Sequence, residues 1–426
     1  MKNCRPTIAT LLCAVLFPAF LAGQPQTTAQ LEANLKTQPD SVDLHISLIR
    51  EYFRLSGQDS SAEDARVHHV LWLLEHHPEH KFLLEPAVTV GRSGANFDTL
   101  KAAWLAAVGK PDVTAPVLAN AANFFRPLDP SRSIDLLTKA RAADPKNGLW
   151  TGLLAEMYVF RIVGITGLNQ NGLPTGVDPT VAASAEAERY KAMLLASKDV
   201  ELVVNAAGQL EMRGAMAAMV TNRREETAAL AETLFQRAIS LEPQKAQWHG
   251  ALAGHYTRQY QPATGETRAT LIRKAMAEYD RQAAMDPATV EDQSYARTAI
   301  DGGDLDKATT AAKHCLAEAP TQTLKYVAVH QCNLILGRVA LRRGDLKGAG
   351  EYLLAAAQIE GQGALSSFGP NMALAKELLE KDQRDVVLEY FRLCAKFWSF
   401  DRGQLDKWTA QVKAGQIPEF GGNLVY

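Results

Sequence analysis

An internal duplication constrains the fold of this chain more than any other feature of its sequence. Residues 137–158 and 235–256 carry the same residue types at the same spacing, 98 residues apart. The matching positions are Leu137 and Phe235, Ala140 and Ala238, Pro145 and Pro243, Trp150 and Trp248, Gly152 and Gly250, Leu154 and Leu252, Ala155 and Ala253, and Tyr158 and Tyr256. The offset is close to three periods of about 34 residues, which predicts an array of repeated units.

The residue types within each unit predict a helical hairpin. Apolar residues recur three and four positions apart, so each helix has one apolar stripe. Small residues such as Ala140 let the paired helix approach closely. The pairs Gly303-Asp304 and Gly344-Asp345 are expected to end a first helix and cap a second. One hairpin cannot bury its own stripe, so the hairpins must stack against one another.

Weaker copies of the pattern occur along much of the chain. They include Val70, Leu73 and Pro78; Ala275, Tyr279 and Pro287, with Gln282 as a departure; Ala308, Ala312, Cys315 and Pro320; and Ala349, Leu353 and Ala356. These segments resemble tetratricopeptide repeats of the exported bacterial type. The resemblance implies an all-α, right-handed α-solenoid of stacked helical hairpins over residues 24–400. Residues 82–125 and 181–220 are expected to be divergent hairpins, and residues 401–426 a polar capping helix and a tail.

The first 23 residues have the layout of a secretory signal peptide. Lys2 and Arg5 precede an apolar run from Thr7 to Ala22, and a polar segment follows it. The run is too short for a membrane-spanning helix. We therefore predict a periplasmic or secreted protein without a transmembrane segment.

The net charge limits the expected partners. The 426 residues are 47% hydrophobic, which suffices for a buried core, and the formal net charge is −2. A charge this balanced predicts no nucleic-acid partner.

The resemblance implies that the first helix of each hairpin lines a concave groove. Outward positions on these helices carry a series of cations: Arg50, Arg54, Arg258, Arg338, Arg342 and Lys376. Such a series suits a protein or peptide partner, possibly acidic, or a terminal carboxylate. The asparagines of the carboxylate clamp found in chaperone-binding repeats are missing, so recognition of chaperone tails is not implied. The expected function is that of an exported scaffold or adaptor without a cofactor.

An enzyme or a carbohydrate-handling subunit is the alternative function. Residues 161–180 contain four glycines and two prolines, a length of irregular loop that is often functional. Glu156 and Glu186 are the nearest carboxylates, but no spacing pairs them. The chain has no phosphate-binding loop, nucleophile elbow or zinc-protease motif, so no catalytic residue and no enzymatic activity are predicted.

Histidines and cysteines leave two questions open. His69, His76 and His80 have a spacing that would suit one helical face, yet Pro78 interrupts the helix and no further ligand completes a metal site. They are therefore interpreted as the polar end of a helix. Of the cysteines beyond the signal segment, Cys315 and Cys394 are interpreted as small apolar residues packed between helices, and a Cys315–Cys332 bridge between neighbouring helices is the alternative.

Overall fold

The computed structural model describes residues 27–56, 60–91, 94–168, 173–319, 325–359 and 364–424. The predicted signal peptide, Pro320 and the tip of the 161–180 segment lie outside these ranges. The chain divides into two compact units, Met1–Lys146 and Asn147–Tyr426. No helix among the described residues is long and apolar enough to cross a membrane.

The first unit consists of helices joined by short turns. They are α1 (Thr28–Thr37), α2 (Val42–Leu55), α3 (Ser60–His76), α4 (Ala95–Val108), α5 (Ala115–Phe125) and α6 (Pro130–Ala143), with 3-10 turns at Lys81–Leu84 and Pro86–Val88. α2 packs on α3 and α5 on α6 as antiparallel hairpins, while α1 lies against α2.

The second unit is the longer stack. Its helices are α7 (Gly148–Val163), α8 (Pro179–Ala182), α9 (Ala185–Ala196), α10 (Val200–Gln209), α11 (Ala215–Thr221), α12 (Arg224–Leu241), α13 (Ala246–Tyr260), α14 (Gly265–Met285), α15 (Asp292–Asp301), α16 (Leu305–Glu318), α17 (Lys325–Arg342), α18 (Leu346–Ala356), α19 (Ala364–Phe368), α20 (Ala373–Leu379), α21 (Arg384–Cys394) and α22 (Gln404–Lys413). A π-helical turn, Leu210–Gly214, joins α10 to α11, and 3-10 turns occur at Pro287–Thr289 and Gly421–Leu424.

Successive hairpins bury each other's apolar stripes. α13 pairs with α14, α15 with α16, α17 with α18 and α20 with α21, and the second helix of one pair packs on the first helix of the next. Ala140 and Ala238, at the predicted close-approach positions, are completely buried. The all-α fold of stacked helical hairpins, an α-solenoid, is confirmed.

The helix ends follow the predicted chemistry. Gly303 and Gly344 have φ angles of +84° and +85°, a conformation that glycine adopts without steric cost. The carboxylates of Asp304 and Asp345 then accept hydrogen bonds from the amides of Lys307 and Gly348, at 3.0 and 2.8 Å. These contacts satisfy amides that have no partner inside the helix.

Two segments differ from the sequence-based expectation. The predicted irregular loop begins as the end of α7 and continues as an antiparallel pair, β1 (Ile165–Leu168) and β2 (Pro174–Val177). Helix α22, expected to be polar, buries Leu405, Trp408 and Val412. Its apolar face was overlooked because most of the residues between these three positions are charged or polar.

A candidate partner-binding groove on the second unit

Two adjoining cavities open along the first helices of consecutive hairpins in the second unit. The larger has a volume of about 390 Å³ and lies between α13, α14 and α15. The smaller, about 240 Å³, extends the depression to α17 and α20. Gln261 and Arg297 line both cavities. We call this continuous depression the α13–α20 groove.

The floor of the larger cavity is formed by a helix surface with almost no side chains. Gly250, Ala251 and Gly254 of α13 line it together. A Cβ atom at Gly250 would lie 2.5 Å from the amide of Gln282, closer than real Cβ contacts. Glycine at this position therefore lets the Gln282 amide pack against α13 and leaves the floor open.

Among the arginines that line the groove, Arg297 is the one that forms no ion pair with another described residue. It is partly buried on α15, and it forms no ion pair and no hydrogen bond with another described residue. By contrast, Arg258 pairs with Glu211, and Arg268 contacts Asp301 at 3.2 Å. Arg338 contacts Glu377 at 2.8 Å. A partly desolvated guanidinium without a counterion is a strong site for a carboxylate or phosphate oxygen.

The sequence-based interpretation missed Arg297. It counted positions on helices that carry the repeat signature, and α15, with ten residues, lacks that signature. The available signal was the buried stripe of this short helix, Ala296, Ala299 and Ile300, which places Arg297 at the edge of the apolar face.

The six predicted groove cations are not brought together as one described cluster. Arg258 and Arg338 line the cavities. Arg342 donates to the carbonyl oxygen of Ile300, and burial lowers the pKa of its guanidinium. Lys376, on α20, lines neither cavity.

Arg50 and Arg54 lie on α2 of the first unit and are exposed. Arg50 contacts Glu85 at 3.1 Å and lies over the ring of Phe82, and Arg54 contacts Glu51 at 2.8 Å. Exposed pairs of this kind hold the side chains only weakly, so both arginines stay available to solvent.

Gln282 occupies the position at which the neighbouring repeats have alanine or cysteine. Its side chain is 4% exposed, and Nε2 donates to the carbonyl oxygen of Thr289 at 2.7 Å. That bond fixes the orientation of the amide, because a carbonyl oxygen can only accept. Oε1 is then buried without a hydrogen bond among the described residues. Such an atom costs about 1–3 kcal/mol.

The alternative site beneath residues 161–180 has little room and no pair of free carboxylates. Glu186 contacts Arg161 at 2.6 Å, and Glu156 pairs with Arg213. The cavity nearby, lined by Ile162, Val163 and Leu210, measures about 10 Å³. The geometry does not favour a reaction centre at this place.

The histidines named from the sequence have separate local partners. Nδ1 of His76 bonds the carbonyl oxygen of Trp72 at 2.8 Å, and Nδ1 of His80 accepts from the amide of Phe82 at 3.2 Å. His69 points into a buried network with Glu32 and His45. The described part of the chain contains no group of three or more histidine, cysteine, aspartate or glutamate side chains placed to hold a metal ion.

The cysteine question is resolved by the structure. Cys315 on α16 and Cys332 on α17 form a disulfide with an S–S distance of 2.11 Å. Cys394 is free and buried, and burial raises the pKa of its thiol. The disulfide links two consecutive hairpins of the stack.

Comparison with known proteins finds similarity at the level of solved structures. No protein-family model and no curated protein sequence matches the chain. The human IFIT1 dimer solved with m7Gppp-AAAA is 17% identical, with a TM-score of 0.39, over 91% of this chain and 84% of that chain. The human IFIT1 dimer solved with PPP-AAAA is also 17% identical, with a TM-score of 0.38, over 91% of this chain and 85% of that chain.

These structures correct one expectation. The sequence-based exclusion of a nucleic-acid partner is wrong, because similar chains have been solved with 5′-modified oligoadenylates. The physical reason is that net charge averages over the whole surface, whereas binding depends on the local charge within a groove. At this degree of similarity the comparisons agree with a helical-repeat scaffold that binds a partner, and they do not identify the kind of partner.

Proposed function

We propose that this protein is a binding scaffold whose α13–α20 groove holds an extended peptide segment of a partner, without catalysing a reaction. The observation that carries the proposal is the unpaired Arg297 at the junction of the two cavities. A partner that brings a carboxylate to this guanidinium gains a charge-assisted hydrogen bond in a partly desolvated site.

The amide side chains of the groove support a peptide as the ligand. Gln247, Gln261 and Gln331 line the cavities, and their side chains make no hydrogen bond within the described ranges. An amide both donates and accepts, so it matches the alternating N–H and C=O groups of an extended backbone. The glycine floor of α13 lets such a backbone lie close to the helix.

The charges of the groove also suit a peptide as the ligand. Asp301 and Glu291 lie among the lining residues, so the groove is mixed in charge and matches a peptide that carries both signs.

Binding measurements with defined probes test this proposal. The probes are a pool of random hexapeptides with free carboxyl termini and a triphosphorylated tetra-adenylate. We expect the peptide pool to bind more tightly than the oligonucleotide, and Arg297→Gln to weaken its binding about tenfold or more, which corresponds to the loss of one charge-assisted hydrogen bond. Fluorescence anisotropy at fixed ionic strength measures both.

A matched control is Arg273→Gln. Arg273 is exposed on α14, is bonded to Glu266 at 2.8 Å and does not line the cavities, so its loss should leave peptide affinity unchanged. Equal effects of the two substitutions would show that Arg297 is not the anchor. If the tetra-adenylate binds more tightly than the peptides and Arg297→Gln abolishes this binding, the groove is the binding site but its ligand is a nucleic acid and not a peptide.

We further propose that the protein is exported. Two observations support this: the signal-peptide layout of residues 1–23, and the Cys315–Cys332 disulfide, since structural disulfides persist mainly in oxidising compartments. Expression of the full chain with mass spectrometry of the product should give a mature N-terminus at Gly23 or Gln24. Retention of Met1 in a cytoplasmic product, with both cysteines reduced, would contradict export.

A further inference from the structure

Two buried histidines of the first unit face each other through the same ring atom. Nδ1 of His45 on α2 and Nδ1 of His69 on α3 are 3.1 Å apart. Both side chains are 3% exposed, so water does not separate them. At this distance one nitrogen donates a hydrogen bond and the other accepts it.

The other nitrogen of each ring, Nε2, also donates a hydrogen bond. Nε2 of His45 lies 3.0 Å from the carbonyl oxygen of Pro39, which can only accept. Nε2 of His69 lies 3.2 Å from Oε1 of Glu32, and the same oxygen accepts from the Tyr52 hydroxyl at 2.7 Å. Both Nε2 atoms therefore carry hydrogen.

Counting these hydrogens gives one more than two neutral rings possess. A neutral imidazole carries a single N–H. Two Nε2 hydrogens and one hydrogen between the Nδ1 atoms make three. We infer that His45 and His69 form a binding site for one proton, held between their Nδ1 atoms as an imidazolium–imidazole pair whose charge is balanced by Glu32.

The groups that face the pair act on its charge in opposite directions: Glu32 favours a positive charge, whereas His68 and His76 disfavour it. From α1 comes the carboxylate of Glu32, from α2 the hydroxyl of Tyr52, and from α3 the rings of His68 and His76. Burial acts to raise the pKa of Glu32, but the hydrogen bonds from Tyr52 and His69 outweigh it, so the pKa is lowered and the carboxylate stays ionised.

Ring contacts and burial restrict the pair to one proton. The indole of Trp72 stacks on His45 at 3.7 Å between ring centres, and an aromatic face favours a cation. Burial lowers the pKa of both His45 and His69, and their charges would repel, so a second proton is excluded.

The separation and the surroundings of the two nitrogens fit a proton rather than a metal ion. Metal–nitrogen bonds of about 2.0–2.1 Å at the tetrahedral angle that zinc prefers would hold the two nitrogens roughly 3.3 Å apart, and the described residues place no group of three or more possible ligands around such an ion. The observed 3.1 Å is the length of an N–H···N hydrogen bond. The two Nε2 atoms already form hydrogen bonds with oxygen atoms.

The proton site couples pH to the docking of α1. Glu32 belongs to α1 and Pro39 to the turn before α2, so the network ties α1 to α2 and α3. In the unfolded chain each histidine titrates near 6.5. Burial acts against the inferred proton, because it lowers the pKa of both rings, and the shared Nδ1 hydrogen bond and the Glu32 carboxylate act to retain it. The proton site requires that retention prevails, so that above about pH 6.5 the folded pair keeps a proton that the unfolded chain has lost, and this stabilisation disappears when the pH rises far enough to remove it. Below about pH 6.5, the unfolded chain binds two protons and the folded pair one, so stability falls again.

Nitrogen NMR of the full chain, with histidine labelled, counts the protons directly. At pH 7.5 we expect three N–H signals from the His45–His69 pair, and their replacement by two as the pH rises. Two neutral rings at pH 7.5, with one Nε2 lacking hydrogen, would overturn the inference. If zinc shifts both Nδ1 signals and releases the shared proton, the pair is a metal site and not a proton site.

Hydrogen exchange of the α1 amides tests the coupling. Between about pH 6.5 and the pH at which the folded pair deprotonates, the opening of α1 should increase up to tenfold per pH unit in excess of intrinsic exchange, because opening releases the shared proton, and this excess dependence should level off at higher pH. His69→Gln should remove this excess, whereas His314→Gln, an exposed histidine on the second unit, should keep it. Retention of the excess in His69→Gln would rule out the coupling, and the wild-type NMR count decides the proton site even if that variant fails to fold.

Discussion

The two copies of the duplicated segment contain helices with the same motif but different surroundings. α7 and α13 share glycine, leucine, alanine and tyrosine at matching positions, and Leu154 and Leu252 are equally buried at 2%. The remaining surface differs. Both helices bury polar positions, such as Thr151 on α7 and His255 and Thr257 on α13, but Gly250 and Gly254 of α13 face the larger cavity.

The neighbours of the two helices explain this difference. α7 is covered by α8, α9, α10 and the β1 strand, so its outward face becomes interior. α13 contacts α12, α14 and α15, and its outward face stays open as the floor of the groove. The repeat motif therefore specifies which residues form the core, and the inserted segments decide which repeat offers a binding surface.

The largest difference in stability that we predict between the two copies concerns the matching glycines, Gly152 of α7 and Gly250 of α13. Gly250→Ala places a Cβ atom 2.5 Å from the Gln282 amide, whereas Gly152→Ala places one 3.5 Å from Oδ1 of Asn205, an ordinary contact. We expect Gly250→Ala to destabilise by about 1–3 kcal/mol through overpacking, and Gly152→Ala to be neutral or stabilising by up to about 1 kcal/mol through helix propensity. Urea unfolding measures both.

A second substitution checks the cause. In a Gln282→Ala background the obstacle at Gly250 is gone, and the unpaired Oε1 is removed as well, so Gly250→Ala should recover the behaviour of Gly152→Ala. If Gly250→Ala stays equally destabilising without Gln282, the close packing of the amide does not explain the glycine.

Much of the repeat fold was predictable from the sequence, because its signals are local. The Gly-Asp pair at Gly303 and Asp304 fixes a helix end, and the proline after α12, Pro243, follows the last helical residue by two positions. The strands β1 and β2 were not predicted, because their glycine-rich composition resembles that of a loop.

The site was predictable only in part, because it depends on contacts between distant residues. Arg258, one of the predicted groove cations, lines the larger cavity, and its pairing with Glu211 joins residues 47 positions apart. Arg297 can bind a ligand because no acidic side chain of the described residues forms an ion pair with it. The His45–His69 contact joins residues 24 positions apart and had no sequence signal beyond the histidines themselves.

A smaller difference in stability is predicted for the matching tyrosines, Tyr158 of α7 and Tyr256 of α13. Tyr158 of α7 stacks on Tyr190 at 4.7 Å, while the hydroxyl of Tyr256 on α13 donates to Glu232 at 2.7 Å. Lys274 contacts the same carboxylate at 3.1 Å. Burial acts to raise the pKa of Glu232, but these hydrogen bonds outweigh it, so the folded-state pKa lies below the ordinary value of 4.5.

The sign of the pH effect follows from that depression. Glu232 contributes stability above its unfolded pKa of 4.5, and this contribution is lost as the pH falls through the lower folded value. Tyr256→Phe removes one donor, so we expect it to cost about 1 kcal/mol at pH 7 and to shrink the loss of stability below pH 4.5. Urea unfolding at pH 7 and pH 3.5 measures this. In a Glu232→Gln background the same substitution should leave the acid dependence unchanged, because the ionisable partner is absent. An equal change in acid dependence with and without Glu232 would mean that Tyr256 does not act through its hydrogen bond to that carboxylate.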